Sequence, residues 1–183
     1  MTIQYAILGY LSWHPFTGYD LKKLFAESDY FYWSGNNNQI YKTLVLLQKE
    51  GLVRIREEKQ GNYPTRKIYT ITEAGLMKLK MWILSEPQLP ELRNPFFIRL
   101  AWSDLLDAEE LSNLLSMYEK ELIGQLAMFA EKQRRGIQHP ARSKREEFLW
   151  KMLAKNWTAN RENELAWIRE LRYQLSQKWS DNR

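Results

Sequence analysis

Residues 34–51, S-G-N-N-N-Q-I-Y-K-T-L-V-L-L-Q-K-E-G, run into residues 52–57, L-V-R-I-R-E, and, past a turn holding Gly61 and Asn62, into residues 66–71, R-K-I-Y-T-I. Ile40, Leu44 and Leu47 recur at helical spacing and predict a buried stripe. Asn38, Lys42, Val45 and Lys49 fall on the opposite side, with Tyr41 on its flank. Gly51 stands where a left-handed helix cap is expected. The two following runs predict short strands. A helix face of amide, basic and phenol groups beside a basic hairpin reads as a recognition helix followed by a wing. That directs the function toward nucleic acid rather than a catalytic pocket.

The flanking sequence completes this unit. Residues 3–13 predict a first helix with Ile3, Ile7, Leu8 and Leu11 on one face, stopped by His14-Pro15. Thr17 and Asp20 have the spacing of a capping box, and the helix they open buries Leu21, Leu24 and Phe25. Tyr30, Phe31, Tyr32 and Trp33 form an aromatic connector to the recognition helix. After the wing, T-E-A-G at residues 72–75 opens a fourth helix with Leu76, Leu79, Trp82 and Ile83 on one face. Three helices, a two-stranded wing and a further helix make a winged helix-turn-helix domain over residues 1–86. Pro87, Pro90 and Pro95 then mark residues 87–95 as a rigid elbow.

Residues 96–183 read as entirely helical, so the fold class is mainly α with a small β-wing. A short helix spans residues 96–106. Asp107 and Glu110 cap a longer one, carrying Leu111, Leu114, Leu115, Tyr118, Leu122, Leu126 and Phe129 and ending at Gly136. A basic loop over residues 132–145 leads to a final helix that Ser143 caps, about ten turns long. The chain around so long a helix covers only part of its stripe of Leu149, Leu153, Trp157, Ile168, Leu171 and Leu175. A second copy of the protein is the simplest further partner, and two-fold symmetric operators call for such a homodimer.

Composition narrows the function classes. In 183 residues there is no cysteine, which excludes disulfides, thiolate metal sites and cysteine nucleophiles and suits a reducing cytoplasm. A net charge of +5 favours an anionic partner. Residues 2–19 lack Asp, Glu, Lys and Arg, yet Gln4, Ser12, His14 and Pro15 interrupt them, and neither a membrane span nor a signal peptide is expected. His14 and His139 each precede a proline with no metal-ligand spacing, and no glycine-rich phosphate cradle is present. No catalysis, metal or cofactor is therefore expected.

Asn37, Asn38 and Gln39 open the recognition helix, where carboxamides can pair bidentately with adenine. Helix capping is the alternative role for these amides, and Asn36 is the asparagine expected to cap. Tyr41 and Lys42 read as phosphate contacts or as an ordinary solvated face. On the wing, Lys59, Gln60, Asn62, Arg66 and Lys67 can straddle the minor groove. Glu57 and Glu58 are read as neutralising Lys59, which leaves Arg66 and Lys67 as the principal contacts. Asn160 and Glu164 fall on the stripe of the final helix, and polar groups on a packing face must be paired. They either bridge a dimer or meet a ligand. Trp102, Trp150 and Trp157 either stack on an aromatic effector or form core. The competing reading, a winged helix used as a protein-interaction module, expects an apolar or acidic wing. This one carries Arg54, Arg56, Arg66 and Lys67 beside Lys42 and Lys49.

The chain resembles the PadR-type transcriptional regulators, in the longer form with a helical C-terminal domain like that of virulence-gene activators. The resemblance is carried by Y-A-I-L-G-Y-L at residues 5–11, T-G-Y-D-L at 17–21, F-Y-W-S at 31–34, N-Q-I-Y-K-T-L at 38–44, E-G-L-V at 50–53 and G-N-Y-P-T-R-K-I-Y-T-I-T-E-A-G at 61–75. It implies a homodimeric repressor or activator, the repressor being the expected role, on a pseudo-palindromic operator in double-stranded DNA. It also implies that Tyr19 contacts the DNA backbone through its phenol, the alternative being a half-buried structural tyrosine. For some members it implies release from DNA by aromatic small molecules such as phenolic acids or cationic drugs. Where the family often has an acidic residue before a Phe, this chain has Pro95 before Phe96.

Overall fold

The computed structural model describes residues 3–29, 37–60, 63–90, 94–135 and 142–179, without the side chains at 37, 59, 60, 63, 64 and 179. The chain divides into two compact units, Met1–Leu89 and Pro90–Arg183. The first contains α1 (Ile3–Leu11), β1 (Phe16–Thr17), α2 (Gly18–Glu27), α3 (Asn37–Lys49), β2 (Val53–Gln60), β3 (Tyr63–Ile71) and α4 (Glu73–Ile83). Its strands form an antiparallel sheet in the order β1-β3-β2. This is a winged helix-turn-helix unit. The aromatic connector, Asn36 and the Gly61-Asn62 turn lie outside the described residues.

Two features of the sheet differ from the expectation. A third strand is present, with Phe16 opposite Tyr69 and Thr17 opposite Ile68. Two residues are too few to show a strand period, and the pairing is made with a segment about 50 positions away in the chain. The wing strands are also longer than expected and pair as far as Gln60 opposite Tyr63, with an irregularity between Glu58 and Gln60.

Packing explains the orientation of α3. Ile40, Leu44 and Leu47 are buried against Ile3, Ile7, Leu8 and Leu11 of α1, Leu21 and Phe25 of α2, and Val53 and Tyr69 of the sheet. Burying one such aliphatic side chain contributes about 1.5–3 kcal/mol. An exposed ion pair contributes about 0–1 kcal/mol. The apolar stripe, not surface charge, therefore sets which face of α3 points outward. The stripe assigned to α4 is less buried. Leu79 joins the core and Trp82 stacks on Tyr5 at 4.4 Å, but Leu76 and Ile83 are exposed with Met77, Met81 and Leu84.

The junction of α3, β2 and α4 is tightly closed. Gly51 adopts φ +71°, the left-handed conformation that ends α3. The Thr72 hydroxyl donates to the Gly51 carbonyl at 2.8 Å and accepts from the Gly75 N–H at 3.1 Å, capping α4. A Cβ on Gly75 would stand 2.3 Å from the Leu52 carbonyl oxygen and 2.8 Å from Ile71 Cγ1. Gly75→Ala gains about 1 kcal/mol of helix propensity but must displace backbone. A net loss of about 1–3 kcal/mol is expected. Urea titration reads it as a lower midpoint, and an unchanged or higher midpoint would show that the junction yields freely.

The second unit contains α5 (Pro95–Ala101), a 3-10 turn (Ser103–Leu105), α6 (Ala108–Arg134) and α7 (Lys144–Trp179). Pro95, expected as the end of the elbow, is instead the first residue of α5, where its missing N–H costs nothing, and Asn94 caps the helix. The short helix also stops earlier than expected, at Ala101. Asp107 and Glu110 form the expected capping box on α6. Glu119 meets Arg169 and Arg172, Gln125 meets Arg161, and Phe129 stacks on Trp157. Positions rise on α6 as they fall on α7, so the two helices form an antiparallel hairpin. Its core is Phe96, Leu115, Leu122 and Ile168. By the same progression the first two turns of α7 lie beyond the end of α6; Phe148 and Leu149 there, and Met152 and Leu153 beside its last turn, are exposed.

Candidate nucleic-acid interface

The outward face of α3 carries Asn38, Tyr41, Lys42, Val45 and Lys49, all exposed, while Gln39 is half-buried. The Thr43 hydroxyl donates to the Gln39 carbonyl at 2.8 Å, which ties down the first turn of the helix. The Asn37 backbone begins α3, but its side chain lies outside the described residues, as does Asn62. Among the described residues Lys42, Lys49 and Arg54 make no ion pair.

Tyr41 and Tyr19 join this face to the start of α2. A Cβ on Gly18 would fall 2.6 Å from Tyr41 Cε1, so the absence of a side chain lets the ring lie against α2. Burial, and the nearby Tyr41 phenol, raise the Tyr69 phenol above its ordinary value. Tyr41 is thus part packing residue and part exposed phenol, at 44% exposure. Tyr19 is 68% exposed in the first turn of α2. The capping box sits beneath it, with Thr17 N–H donating to Asp20 at 3.0 Å and the Asp20 N–H donating to the Thr17 hydroxyl at 3.1 Å.

The wing charges are arranged differently from the expectation. Glu57 stands directly opposite Lys67 and pairs with it at 3.7 Å, while Glu58 pairs with Arg56 at 2.8 Å. Cross-strand register thus gives Glu57 its partner and a same-strand neighbour gives Glu58 its own, while the Lys59 side chain lies outside the described residues. Arg66 donates to Asp20 at 3.3 Å. Burial alone would raise the Asp20 carboxyl, but the Thr17 donors and the Arg66 guanidinium outweigh it and hold the group below its ordinary value.

A second polar cluster occupies the helical unit. Asn94 donates to the Tyr118 hydroxyl and to Glu164, each at 2.9 Å, and the Tyr118 hydroxyl donates to Glu164. Arg161 lies 3.6 Å from the other Glu164 oxygen. Burial and the Glu164 carboxylate both push the Tyr118 phenol up. Glu164, expected to bridge a dimer or meet a ligand, thus already has partners in its own chain. Asn94, about 70 positions away, and Tyr118, read only as part of an apolar stripe, gave no signal of this in the sequence. A cleft of about 870 Å³ opens beside them, lined by Asn94, Phe97, Tyr118, Asn160, Glu164 and Trp167. Of the five residues assigned to an effector, Asn160 and Glu164 reach this cleft. Trp157 instead stacks on Phe129 beneath the Arg161 guanidinium, Trp150 is half-buried on α7, and Trp102 is 71% exposed after α5.

His14 Nδ1 lies 3.0 Å from the Pro15 carbonyl, and His139 lies outside the described residues. Among the described residues no cluster of His, Cys, Asp and Glu could hold a metal ion, and no helix is long and apolar enough to cross a membrane.

Residues 7–81 match the transcriptional regulator PadR-like family, and residues 92–176 match the virulence activator alpha C-terminal family. The two matches follow one another along most of the chain. The chain belongs to the PadR-type transcriptional regulators with a virulence-activator-like C-terminal segment, a family of regulators rather than enzymes. The negative transcriptional regulator PadR of Bacillus subtilis is 33% identical over 113 residues, spanning 61% of this chain and 62% of that protein. The match therefore reaches less than two thirds of that relative's length. The crystal structure of Bacillus subtilis PadR in complex with operator DNA superposes with a TM-score of 0.81 at 24% identity, covering 93% of this chain and 97% of that one. The same regulator in complex with p-coumaric acid superposes with a TM-score of 0.77 at 23% identity, covering 96% and 99%. Likeness at these identities establishes the fold.

Proposed function

We propose that the protein is a cytoplasmic, homodimeric DNA-binding repressor that reads a pseudo-palindromic operator. Residues 1–86 would bind DNA, residues 87–95 would act as an elbow, and residues 96–183 would hold the dimer and receive an effector. The observation that carries the reading is the outward face of α3. Amides and cations that make no ion pair among the described residues stand there on a helix whose other side is locked into the core, flanked by the exposed Tyr19 and Tyr41. Asn37, Asn38 and Gln39 read base edges, Tyr19, Tyr41 and Lys42 hold phosphates, and the wing reaches the adjacent groove through Asn62, Arg66 and Lys67. The exposed apolar residues at the start of α7 suit a second copy of the chain. An aromatic acid, the chemistry held by the Bacillus subtilis relative, is the effector class. It releases DNA by binding the DNA-incompetent arrangement more tightly than the competent one.

Base readout and phosphate contact are expected to separate by mutation. Asn38→Ala or Gln39→Ala costs about 1–3 kcal/mol on the operator and relaxes specificity at one position per half-site. Lys42→Ala weakens operator and random DNA alike and lowers the salt slope by about one unit per chain. Competition binding against single-base operator variants decides it. If Gln39→Ala lowers both affinities equally, its role is positioning and not readout.

A further inference from the structure

We infer that Asp20 is a specificity-determining residue that acts through Arg66, withholding the wing's arginine from DNA that sets no phosphate within its reach; this rests on the DNA-binding reading above. Three donors converge on one carboxylate oxygen. The Thr17 backbone N–H lies 3.0 Å away, the Thr17 hydroxyl 2.6 Å and Arg66 Nη2 3.3 Å. The first is half of the capping box that starts α2, the second comes from the hydroxyl of the same Thr17, and together they pin the carboxylate to that helix. The arginine contact is the longest of the three and comes from a distant part of the chain.

This makes the pair mechanically unequal. Asp20 cannot follow the guanidinium without uncapping α2, whereas Arg66 can leave by rotating its own side chain. The strand beneath Arg66 is held as well, since Ile68, two residues on, pairs with Thr17. Both partners are partly exposed, where an ion pair is weak. A phosphate in the right place offers the guanidinium a charged, bidentate partner and competes well. The other wing pairs, Arg56 with Glu58 and Lys67 with Glu57, have both members on the wing itself and move with it. Among the described residues, only the Asp20 pair ties a wing cation to a helix start.

On an arbitrary duplex the paired charges nearly cancel and Arg66 adds little affinity. On a duplex whose backbone fits, Arg66 transfers to phosphate and adds its full charge. Asp20 therefore lowers affinity for random DNA more than for the operator.

The test is a double-mutant cycle on the full chain, binding a random-sequence duplex long enough for two half-sites, by fluorescence anisotropy over a range of salt. Asp20→Asn keeps an acceptor for the Thr17 N–H while removing the charge. Arg66→Gln is expected to lower the native affinity by less than about twofold, but to lower that of the Asp20→Asn chain by about fivefold or more. Asp20→Asn alone should steepen the salt slope by about one unit per chain. If Arg66→Gln costs the same in both backgrounds, Asp20 acts only by general repulsion and the inference is overturned. Should Asp20→Asn fail to fold by circular dichroism, Arg66→Gln decides alone, because a slope lower by about a full unit in the native background overturns the inference. A native chain that binds no duplex at low salt removes the DNA-binding reading and this inference together. Additivity in a chain that does bind removes only the role of Asp20.

Discussion

A chain ending after Leu89 is expected to run as a monomer and to bind the operator about 10²–10⁴-fold more weakly than the full chain. The core of the first unit lies wholly within it, from Ile3 to Tyr69, so the fragment should keep its fold. It loses α6 and α7, the helices proposed to join two copies. Two half-sites are then no longer read at one effective concentration, and each recognition helix binds alone. Sedimentation equilibrium and operator titration measure the two consequences separately. A fragment that remains dimeric, or a full chain that is monomeric at micromolar concentration, would contradict the proposed division of labour.

Ile168→Ala is expected to cost about 2–5 kcal/mol, all of it in the helical unit. Ile168 is completely buried in a cluster with Phe96, Leu115 and Leu122, against which Leu165, Leu171 and Leu175 also pack. The surrounding side chains relax only in part into the cavity left by such a deletion. Hydrogen exchange should show faster opening of amides in α6 and α7, while those of α1 and α3 keep their protection. Equal loss of protection in both units would mean that they unfold as one.

What the sequence revealed was local. The Thr17–Asp20 and Asp107–Glu110 boxes, the stripe of Ile40, Leu44 and Leu47, and the positive φ of Gly51 all depend on residues within a few positions of one another. Periodicity and capping chemistry act over that range, so these features were legible. Pairing across the chain was not. The partner of Glu57 is set by strand register in the hairpin, which puts Lys67 opposite it. The third strand needs Ile68 and Tyr69 beside it to exist. Glu164 on its apolar stripe signalled that some partner must be present, but Asn94 and Tyr118 come to it only through the fold. Asp20 was recognised as a cap for the same reason that its contact with Arg66 was missed: one partner is three residues away, the other 46.

Titrating the full chain onto a duplex carrying the promoter upstream of its own gene, at stepped salt concentrations, bears on the whole account. Log affinity is expected to fall linearly with log salt, because cations on α3 and the wing displace counterions from the phosphates they meet. Lys42→Ala should make that line shallower. Failure to bind this promoter, or any other promoter fragment, even at low salt would contradict the account.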